Sequence, residues 1–349
     1  MMQTSRPVGL LGYGVYVPRY RIAGKEIARI WTDGQGGVPV EAKSVPGLDE
    51  DTITMSIEAG RSALLRAGVP AQELSVVWVG SESHPYSVKP SGTIVAEALG
   101  TSPWISAADY QFACKAGSEA LTAAMGMVGS GMAQYALAIG ADTAQGRPGD
   151  ALEYTASAGA AALLVGAAEA ALATIDATVS YVSDTPDFFR RADRPYPVHG
   201  HRFTGEPAYF HHIKAATTRL LSELGRTAAD FTYAIFHQPN AKFPQTVAKQ
   251  MGFSEAQIKP GLLSPVIGNT YSAIALAGLC ATLDIAKPGD TILMTTYGSG
   301  SGADAYALTV TDALLERRER APLTAAYLAR QEFVDYAVYA KWRGKLVLG

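Results

Sequence analysis

The chain of 349 residues carries two cysteines, and only one of them lies in a sequence context that favours chemistry. Cys114, in Gln-Phe-Ala-Cys-Lys-Ala-Gly, opens a predicted helix, where the helix dipole and Lys115 would lower the pKa of the thiol and favour the nucleophilic thiolate. Because free cysteines are commonly buried and inert, a structural role stays open for it. Cys280, in the apolar run Ile-Ala-Leu-Ala-Gly-Leu-Cys, fits that inert role.

Three further side chains are of types that assist acyl chemistry. His237, in Ile-Phe-His-Gln-Pro-Asn, could polarise a thioester carbonyl or relay a proton, or it could be a hydrogen-bonded core residue. Asn269, in Ile-Gly-Asn-Thr-Tyr-Ser, could donate to a developing oxyanion, cap a helix, or do both. Glu82, in Gly-Ser-Glu-Ser-His-Pro-Tyr, is either a solvated loop residue or, in a partly apolar pocket, a base of raised pKa acting at carbon.

The elements that must position these side chains alternate between short β-rich runs and Ala-rich helical stretches. This alternation predicts an α/β fold with buried sheets and βαβ crossovers. The predicted strands cover residues 74–80, 135–140, 160–165, 231–236, 291–295 and 305–310. The predicted helices cover residues 52–67, 117–129, 208–224, 272–285 and 322–341.

The four candidate residues repeat with one spacing. Glu82 and His237 each follow a predicted strand, Cys114 and Asn269 each open a predicted helix, and the two members of each pair are 155 residues apart. Equal spacing predicts an internally duplicated fold with halves at residues 1–170 and 171–349. Because ligands in such folds gather at the carboxyl ends of strands, all four side chains are expected in one pocket between the halves.

Composition excludes several classes of protein. The formal charge of −3, from 29 Lys and Arg against 32 Asp and Glu, argues against a nucleic-acid binder that works through bulk electrostatics. Charged residues make up 17%, below the average of about 25%, which favours a large core and a subunit interface. Two cysteines form no disulfide framework, so a cytoplasmic location is predicted. No membrane span is predicted, because the longest apolar run, residues 156–168, is shorter than about 20 residues.

Two motifs that resemble known ligand sites fail on context. The histidine pairs at positions 199/201 and 211/212 have no acidic or cysteine ligand at a recognisable spacing, so no metal site is predicted. The Gly-rich segment Tyr-Gly-Ser-Gly-Ser-Gly at residues 297–302 leads into a second strand, which predicts a hairpin instead of a dinucleotide-binding turn.

The C-terminal residues 313–349 are basic, with seven Lys and Arg against four Asp and Glu. Tyr336, Tyr339 and Trp342 have the spacing of one helix face. This segment is either a helix packed on the main body or a tail that binds a partner.

In combination the segments around the four candidate residues resemble the thiolase superfamily and, within it, the archaeal-type 3-hydroxy-3-methylglutaryl-CoA (HMG-CoA) synthases. The similarity extends from Gly-Tyr-Gly-Val-Tyr-Val-Pro to Tyr-Ala-Val-Tyr-Ala-Lys-Trp-Arg-Gly-Lys, through Ala-Ile-Gly-Ala-Asp-Thr-Ala and Phe-Thr-Gly-Glu-Pro-Ala-Tyr. It implies a thiolase fold, a duplicated αβαβα five-layer sandwich, and usually a homodimer. It also implies an acyltransferase of the mevalonate and isoprenoid pathway whose substrates are CoA thioesters and which needs no cofactor.

The resemblance assigns a role to each candidate residue. Cys114 would take the acetyl group from acetyl-CoA, and Glu82 would remove a proton from the acetyl methyl. His237 would donate a proton to the alkoxide formed on acetoacetyl-CoA. Asn269 and Ser299 match positions that hold the acyl group and its oxygens.

Further substrate contacts follow from the same resemblance. Thr155, Arg202 and Thr204 match substrate-loop positions, and Lys242 matches a contact to a CoA phosphate. Relatives often carry Arg four residues after that lysine, whereas this chain has Thr246, which puts one CoA or acyl contact in doubt.

Two alternatives to the HMG-CoA synthase interpretation stay open. One is a β-ketoacyl synthase III-like condensing enzyme, and the other is a non-catalytic scaffold in a complex with acetoacetyl-CoA thiolase and a small zinc-bearing OB-fold protein. Glu82 favours the synthase, because decarboxylating synthases work with Cys, His and Asn alone. Thiolases use a second cysteine, and Cys280 lies in mid-helix, far from the expected position.

Overall fold

The computed structural model describes residues 2–346, which form a single large mixed sheet with helices packed against it. The strands are β1 (Val8–Tyr16), β2 (Tyr20–Ala23), β3 (Ala42–Val45), β4 (Val76–Gly80), β5 (Ser106–Tyr110), β6 (Ala136–Thr143), β7 (Ala158–Ala167), β8 (Ala173–Val182), β9 (Phe188–Phe189), β10 (Val198–His199), β11 (Tyr233–Phe236), β12 (Thr291–Gly298), β13 (Gly302–Val310) and β14 (Glu332–Phe333). The helices are α1 (Gly24–Trp31), α2 (Thr52–Ala67), α3 (Ser91–Leu99), α4 (Ala116–Ser130), α5 (Ala151–Thr155), α6 (Phe210–Leu224), α7 (Lys242–Gln250), α8 (Glu255–Ile258), α9 (Ser264–Ile267), α10 (Ile274–Leu283), α11 (Ala313–Arg317), α12 (Thr324–Ala329) and α13 (Tyr336–Trp342).

The two sides of the large sheet have the same pattern of strand pairing outward from its centre, and β5 extends one side by one more strand. The full order is β11-β12-β13-β8-β1-β7-β6-β4-β5. Outward from the centre, β1-β7-β6-β4 and β8-β13-β12-β11 each have two antiparallel pairings followed by a parallel one. The halves meet where Gly9 and Leu10 of β1 pair with β8. The duplicated α/β fold predicted from residue spacing is confirmed.

The helices form a central layer and two outer layers. Together with the two halves of the sheet they make five layers. Helices α4 and α10 lie in the centre and share one core cluster with strands of both halves. Helix α2 covers β1, β7 and β6 on one outer face, and α6 covers β8, β13 and β12 on the other. The nearly uniform apolarity of α10 follows from this central position, since all of its residues except Ala281 are buried. Cys280 is among them, at 0% exposure, as its inert role requires.

Strand prediction succeeded for six apolar runs and missed the other strands, among them β2, β3, β5 and the two central strands, β1 and β8. In β1 the alternation is broken by Gly9, Gly12 and Gly14, which are poor strand formers. Their role is steric, because a Cβ atom at Gly14 would lie 2.0 Å from the carbonyl oxygen of Ala59 in α2. Glycine therefore lets α2 approach the sheet closely, a contact that only tertiary structure reveals.

Replacing Gly14 by alanine is expected to lower the free energy of unfolding by about 2 to 3 kcal/mol, because the obstructing atom is backbone and cannot rotate away. Gly126→Ala is the matched control, since Gly126 lies on the exposed face of α4 with no atom within 4 Å of its added Cβ. There alanine should stabilise by about 0.5 to 1 kcal/mol. Urea denaturation of both variants measures the difference, and equal effects would contradict the steric explanation.

The C-terminal helix predicted over residues 322–341 is wrong, because the segment forms α12, the short strand β14 and then α13. Strand β14 pairs in parallel with β2, and the N–H groups of Glu332 and Val334 donate to carbonyls there. These long-range hydrogen bonds replace the helical ones. Asp335 then starts α13 by accepting from the N–H of Val338 at 2.8 Å.

Three smaller predictions concern the hairpin, membrane spans and metal sites. Strands β12 and β13 form the hairpin expected at residues 297–302. Over residues 2–346, no helix combines the length and apolarity needed to cross a membrane. In the same residues no three His, Cys, Asp or Glu side chains are grouped as ligands for a metal ion.

Candidate active site

A cavity of about 350 Å³ lies between the halves and collects most of the predicted site residues. It is lined by residues from loops and element ends of both halves. Those predicted from the sequence are Cys114, Thr155, Thr204, His237, Asn269 and Ser299. Aromatic side chains that sequence reasoning missed complete the wall, namely Phe188, Tyr209, Phe243, Tyr271 and Tyr297.

Cys114 lies on the strained connection between β5 and α4. Ala113 has φ of 42°, a left-handed conformation that is unfavourable for a residue with a Cβ atom. The thiol is 8% exposed, and its burial raises the cysteine pKa well above its usual value, with the carboxylates of Glu82 and Asp142 adding to the rise. The predicted lowering of this pKa is therefore wrong. The ammonium group of Lys115 is directed to Asp304, 3.1 Å away, and its charge is neutralised there.

Glu82 lies two residues beyond β4 and does not line the cavity of about 350 Å³, although its charge acts on the Cys114 thiol. Its Oε2 atom is buried and has no hydrogen-bond partner among the described residues. Burial, and then the charge of Asp142, raises the pKa of the Glu82 carboxyl well above its usual value, and Arg190 opposes this rise. The raised pKa agrees with the alternative in which Glu82 is a base acting at carbon and not a solvated loop residue. Such a group is a stronger base than a solvated glutamate.

Asp142, at the end of β6, fixes the backbone around Glu82. Its Oδ1 accepts from the N–H of Glu82 at 2.9 Å and from the hydroxyls of Ser81 and Ser83 at 2.7 and 2.6 Å. Its Oδ2 accepts from the N–H and hydroxyl of Ser272, in the other half, at 2.9 and 2.7 Å. Three of these hydrogen bonds fix the segment around Glu82, and the two with Ser272 tie the halves together. An aspartate at the end of an otherwise apolar strand was the sequence signal for this role.

His237 directly follows β11 and is held by its backbone. Its N–H donates to Thr295, and its carbonyl accepts from the hydroxyl of Tyr209 at 2.6 Å. Burial lowers the pKa of the imidazole from 6.5 to about 3, and Nδ1 has no partner among the described residues. At neutral pH the ring is therefore uncharged, and it can accept a proton at one nitrogen while donating from the other.

This depressed pKa predicts acid sensitivity of the fold. Between pH 6.5 and about 3 the unfolded chain protonates His237 and the folded protein does not, so stability is lost as the pH falls. From pH 7.5 to pH 5.0 the wild type should lose about 2 kcal/mol more free energy of unfolding than His237→Asn. Urea titrations at the two pH values measure this, and an equal loss in both proteins would contradict a neutral buried imidazole.

Asn269 has one of the two roles left open for it, that of a cap. Its Oδ1 accepts from the N–H of Tyr271 at 2.9 Å, so it caps the turn that leads into α10. A hydrogen bond from its side chain also lowers the pKa of Cys114, against the larger effect of burial. Its N–H donates to the carbonyl of Thr155 at 2.8 Å, and its own carbonyl accepts from Ser157 at 3.0 Å. Thr155 and Asn269 are therefore parts of one wall.

The other predicted binding residues lie in three different places. Thr204 and Ser299, the latter in the turn between β12 and β13, lie in the cavity. Lys242, the first residue of α7, lies outside it with Thr246 in an adjoining cavity of about 890 Å³. Arg202 is exposed, its guanidinium 5.5 Å from the ring of Phe203, and does not line either cavity.

The His-Gly-His segment contributes to closing the cavity. Both His199 and His201 line it, and His199 Nε2 lies 3.1 Å from the carboxylate of Asp150, at the start of α5. Asp150 also accepts from the N–H of Leu152, so it caps α5. The segment therefore serves here as a loop anchor between the two halves. Sequence reasoning considered it only as a metal motif.

Comparison with known proteins connects this geometry to a family. Residues 221–310 match the family model for the C-terminal part of 3-oxoacyl-[acyl-carrier-protein] synthase III. Hydroxymethylglutaryl-CoA synthase of Thermococcus kodakarensis is 57% identical over 349 residues, covering 100% of this chain and 99% of that protein. The same enzyme of Methanothermobacter thermautotrophicus is 56% identical over 342 residues, covering 97% and 99%. The chain belongs to the hydroxymethylglutaryl-CoA synthase family. The resemblance seen in the sequence is confirmed.

Solved structures agree with the fold of this family. MvaS in complex with 3-hydroxy-3-methylglutaryl coenzyme A superposes with a TM-score of 0.84 at 24% identity, covering 99% of this chain and 93% of that one. 3-Oxoacyl-(acyl carrier protein) synthase III of Pseudomonas aeruginosa superposes with a TM-score of 0.79 at 19% identity, covering 88% and 99%. The thiolase-like fold is thereby confirmed. As a member of the family, the protein is a condensing acyltransferase.

Proposed function

We propose that the protein condenses acetyl-CoA, acetoacetyl-CoA and water to HMG-CoA and CoA through an acetyl-Cys114 intermediate. The observation that carries this proposal is the buried carboxyl of Glu82, which has no partner at Oε2 among the described residues and whose charge acts on the buried thiol. A carboxylate there can remove a proton from carbon, which a decarboxylating β-ketoacyl synthase does not need. The relatives described above favour the same activity.

The first half-reaction loads the thiol. Cys114 loses its proton to the neutral imidazole of His237, and its sulfur attacks the acetyl carbonyl of acetyl-CoA. The amide of Asn269 donates to the oxyanion. The bond between the acetyl carbon and the CoA sulfur breaks, and the proton held by His237 passes to the CoA thiolate. Because His237 is neutral at rest, it can first accept this proton and then release it.

The second half-reaction forms the carbon–carbon bond. The Glu82 carboxylate removes a proton from the methyl of acetyl-Cys114, and the resulting enolate attacks the ketone carbon of acetoacetyl-CoA. The new alkoxide takes a proton from the imidazole of His237, and the proton that Glu82 removed from the methyl returns to the imidazole through water, so that both side chains are restored. Water then hydrolyses the thioester to Cys114, which releases HMG-CoA and restores the thiol. Thr155, Thr204 and Ser299 would hold the acyl groups during these steps.

The adjoining cavity is the proposed site of the CoA phosphates. Lys242, Thr246 and Lys249 lie at i, i+4 and i+7 on α7 and line this cavity together. Lys249 therefore supplies a cation one turn beyond Thr246, near the place where relatives often carry arginine. The cavities share Pro39 and Asn240 in their linings, so one extended ligand can occupy both. Arg202 would join such a ligand only through a movement of its loop.

Peptide mass spectrometry tests the proposed function. Incubation with acetyl-CoA should add an acetyl group to the Cys114 peptide, and a chase with acetoacetyl-CoA should remove it and release HMG-CoA. No adduct would refute both enzyme interpretations and leave the scaffold. An adduct that yields no HMG-CoA on the chase would favour the β-ketoacyl synthase III-like alternative.

A homodimer is proposed through the free edge of the sheet at β5. That strand has a neighbour on one side only, and the exposed apolar side chains of Val88 and Trp104 lie in the loops near its ends. Pairing of β5 with its copy would cover this edge, which an isolated protein must otherwise protect. Light scattering after gel filtration distinguishes dimer from monomer, and a monomeric Trp104→Lys variant would support this location.

Further parts of the proposal concern the cellular setting. A complex with acetoacetyl-CoA thiolase and a small zinc-bearing OB-fold protein, as archaeal-type relatives imply, is proposed and is tested by co-purification of the three proteins. Both cysteines are free, which is in keeping with the reducing cytoplasm proposed as the location. A role in the mevalonate pathway is proposed from the activity itself. CoA thioesters serve as substrates, with no cofactor. The halves 1–170 and 171–349, divided between β7 and β8, are proposed as structural repeats that share one site.

A further inference from the structure

A buried ionic cluster lies behind α5 and joins this wall of the cavity to the C-terminal segment. Its members are Lys43, Glu153, Tyr339, Arg343 and Lys345, named here the wall cluster. Glu153 belongs to α5 and is fully buried, yet it does not line the cavity, whereas Leu152 and Thr155 of α5 do. Its carboxylate is therefore directed behind the wall.

The carboxylate of Glu153 has partners both in the loop before α5 and in the C-terminal segment. Its Oε1 accepts from the hydroxyl of Tyr336 at 3.0 Å and lies 3.6 Å from Nζ of Lys345. Its Oε2 accepts from the N–H of Gly149 at 2.8 Å. One side chain thus connects the loop before α5 with two residues close to the C-terminus.

Lys43 continues this connection on the backbone of the wall. Its ammonium group donates to the carbonyl of Glu153 and, at 2.9 Å, to the hydroxyl of Tyr339. Its Cβ lies only 2.7 Å from the position that a Cβ on Gly268 would occupy, so it packs directly against the residue before Asn269. Lys43 therefore supports the two backbone segments that carry Thr155 and Asn269.

The last described residues hold the loop that precedes α5. Arg343 donates to the carbonyl of Thr143 at 3.1 Å, and Lys345 donates to the carbonyl of Gly146. With Tyr336 and Tyr339, the C-terminal segment contacts the wall at four points. The basic tail is thus packed against the active-site wall, and its charge has a buried partner.

The charge balance makes Glu153 the critical member. Three basic side chains converge behind the wall, and burial lowers the pKa of Lys43, Arg343 and Lys345, with Glu153 opposing this for the two lysines. Removing the partner of a buried charge is far more costly than the pair itself is stabilising. Neutralising Glu153 would therefore push the cationic groups apart and displace α5.

We propose that Glu153 is a positioning residue for this active site, anchoring α5 on the C-terminal segment and so fixing the carbonyl of Thr155 that holds Asn269 beside Cys114. Only the kinetic test of this inference rests on the proposed function. The chain of contacts runs from Glu153 through α5 to Thr155, and from the Thr155 carbonyl to the N–H of Asn269. Glu153 itself touches neither cavity nor substrate.

Glu153→Gln tests the proposal, because it keeps the shape and removes the charge. We expect kcat to fall by about tenfold or more while KM for acetyl-CoA changes less than threefold, since misplacement of Asn269 acts on the reacting carbonyl. The rate of Cys114 alkylation by iodoacetamide should also shift its pH midpoint upward, because the hydrogen bond from Asn269 is weakened. Loss of global stability alone would leave that midpoint unchanged.

A second variant and a control keep the test decisive. Adding Lys345→Met to Glu153→Gln removes an unpaired cation and should recover part of the lost kcat. If Glu153→Gln does not fold, Tyr336→Phe removes only the hydroxyl that donates to Glu153 and accepts from Trp31 Nε1, and it should still lower kcat and shift the alkylation midpoint. Lys341→Gln, on the exposed side of α13, should behave as wild type.

The outcomes separate the two proposals. An unchanged alkylation midpoint in Glu153→Gln, or in Tyr336→Phe where the first does not fold, would overturn the positioning role. Wild-type protein that forms no HMG-CoA would overturn the proposed function instead, and the alkylation experiment would still decide the role of Glu153.

Discussion

Replacing Cys114 by serine is expected to lower HMG-CoA formation by at least about 10⁴-fold, since loss of a covalent nucleophile has effects of this order or larger. The hydroxyl of serine is far less acidic than a thiol, so the buried imidazole of His237, whose pKa is lowered to about 3, is too weak a base to activate it. No acetyl group should appear on the peptide that contains residue 114. An assay of HMG-CoA release measures the first expectation, and mass spectrometry of the peptide measures the second.

Cys280→Ala is the matched control for the loss of a thiol. Cys280 is fully buried in α10, and its sulfur lies 3.5 Å from the carbonyl oxygen of Gly14, remote from the cavity lining. This variant should keep its activity within about twofold while losing about 1 kcal/mol of stability for the smaller side chain. Equal losses of activity in the two variants would contradict the assignment of Cys114 as the nucleophile.

The sequence predicted the candidate site largely because its residues lie at the ends of regular elements. Helix α2 was predicted with both of its ends correct, and strand and helix boundaries near Cys114 and His237 were correct within a few residues. Since an α/β fold brings the carboxyl ends of strands together, element order and residue type were sufficient to predict that Cys114, His237 and Asn269 share one pocket, whereas Glu82, expected there too, does not line it. No long-range contact had to be known for this step.

The acid–base state of the site could not be predicted in the same way. The helix start beside Cys114 indicates a lowered pKa, but the dominant effect is loss of solvent, to which distant residues contribute. Asp142 is 28 residues away in the chain, and two of its five hydrogen bonds reach Ser272 in the other half. Burial of a group depends on the whole fold, so a local motif carries little information about it.

Pairing across long chain separations limited the fold prediction too. Strand β14 follows an Ala-rich helical stretch and is held by β2, more than 300 residues earlier. The basic C-terminal segment showed an excess of charge in the sequence, yet its partner Glu153 lies in a small helix near the middle of the chain. Both features become visible only when the sheet and the cavity wall are assembled.

Replacing Glu82 by glutamine is expected to separate the two half-reactions. Loss of a general base costs about 10² to 10⁴-fold, so HMG-CoA formation should fall by that factor. Acetylation of Cys114 should persist, because it depends on the thiol, His237 and Asn269. A quenched reaction should therefore show acetyl-Cys114 accumulating in the variant, whereas the wild type consumes it after acetoacetyl-CoA is added.

The electrostatics of the site make this test sharper, because they predict an effect in the opposite direction on the first step. The charge of Glu82 is the second largest cause of the raised pKa of Cys114, so its removal should lower that pKa. Alkylation of Cys114 by iodoacetamide at neutral pH should then be faster in Glu82→Gln than in wild type. Slower alkylation together with slower condensation would indicate a disturbed fold instead of a lost base. Faster alkylation, retained acetylation and lost condensation are jointly expected only if the Glu82 carboxylate acts on the acetyl methyl and not on the thiol.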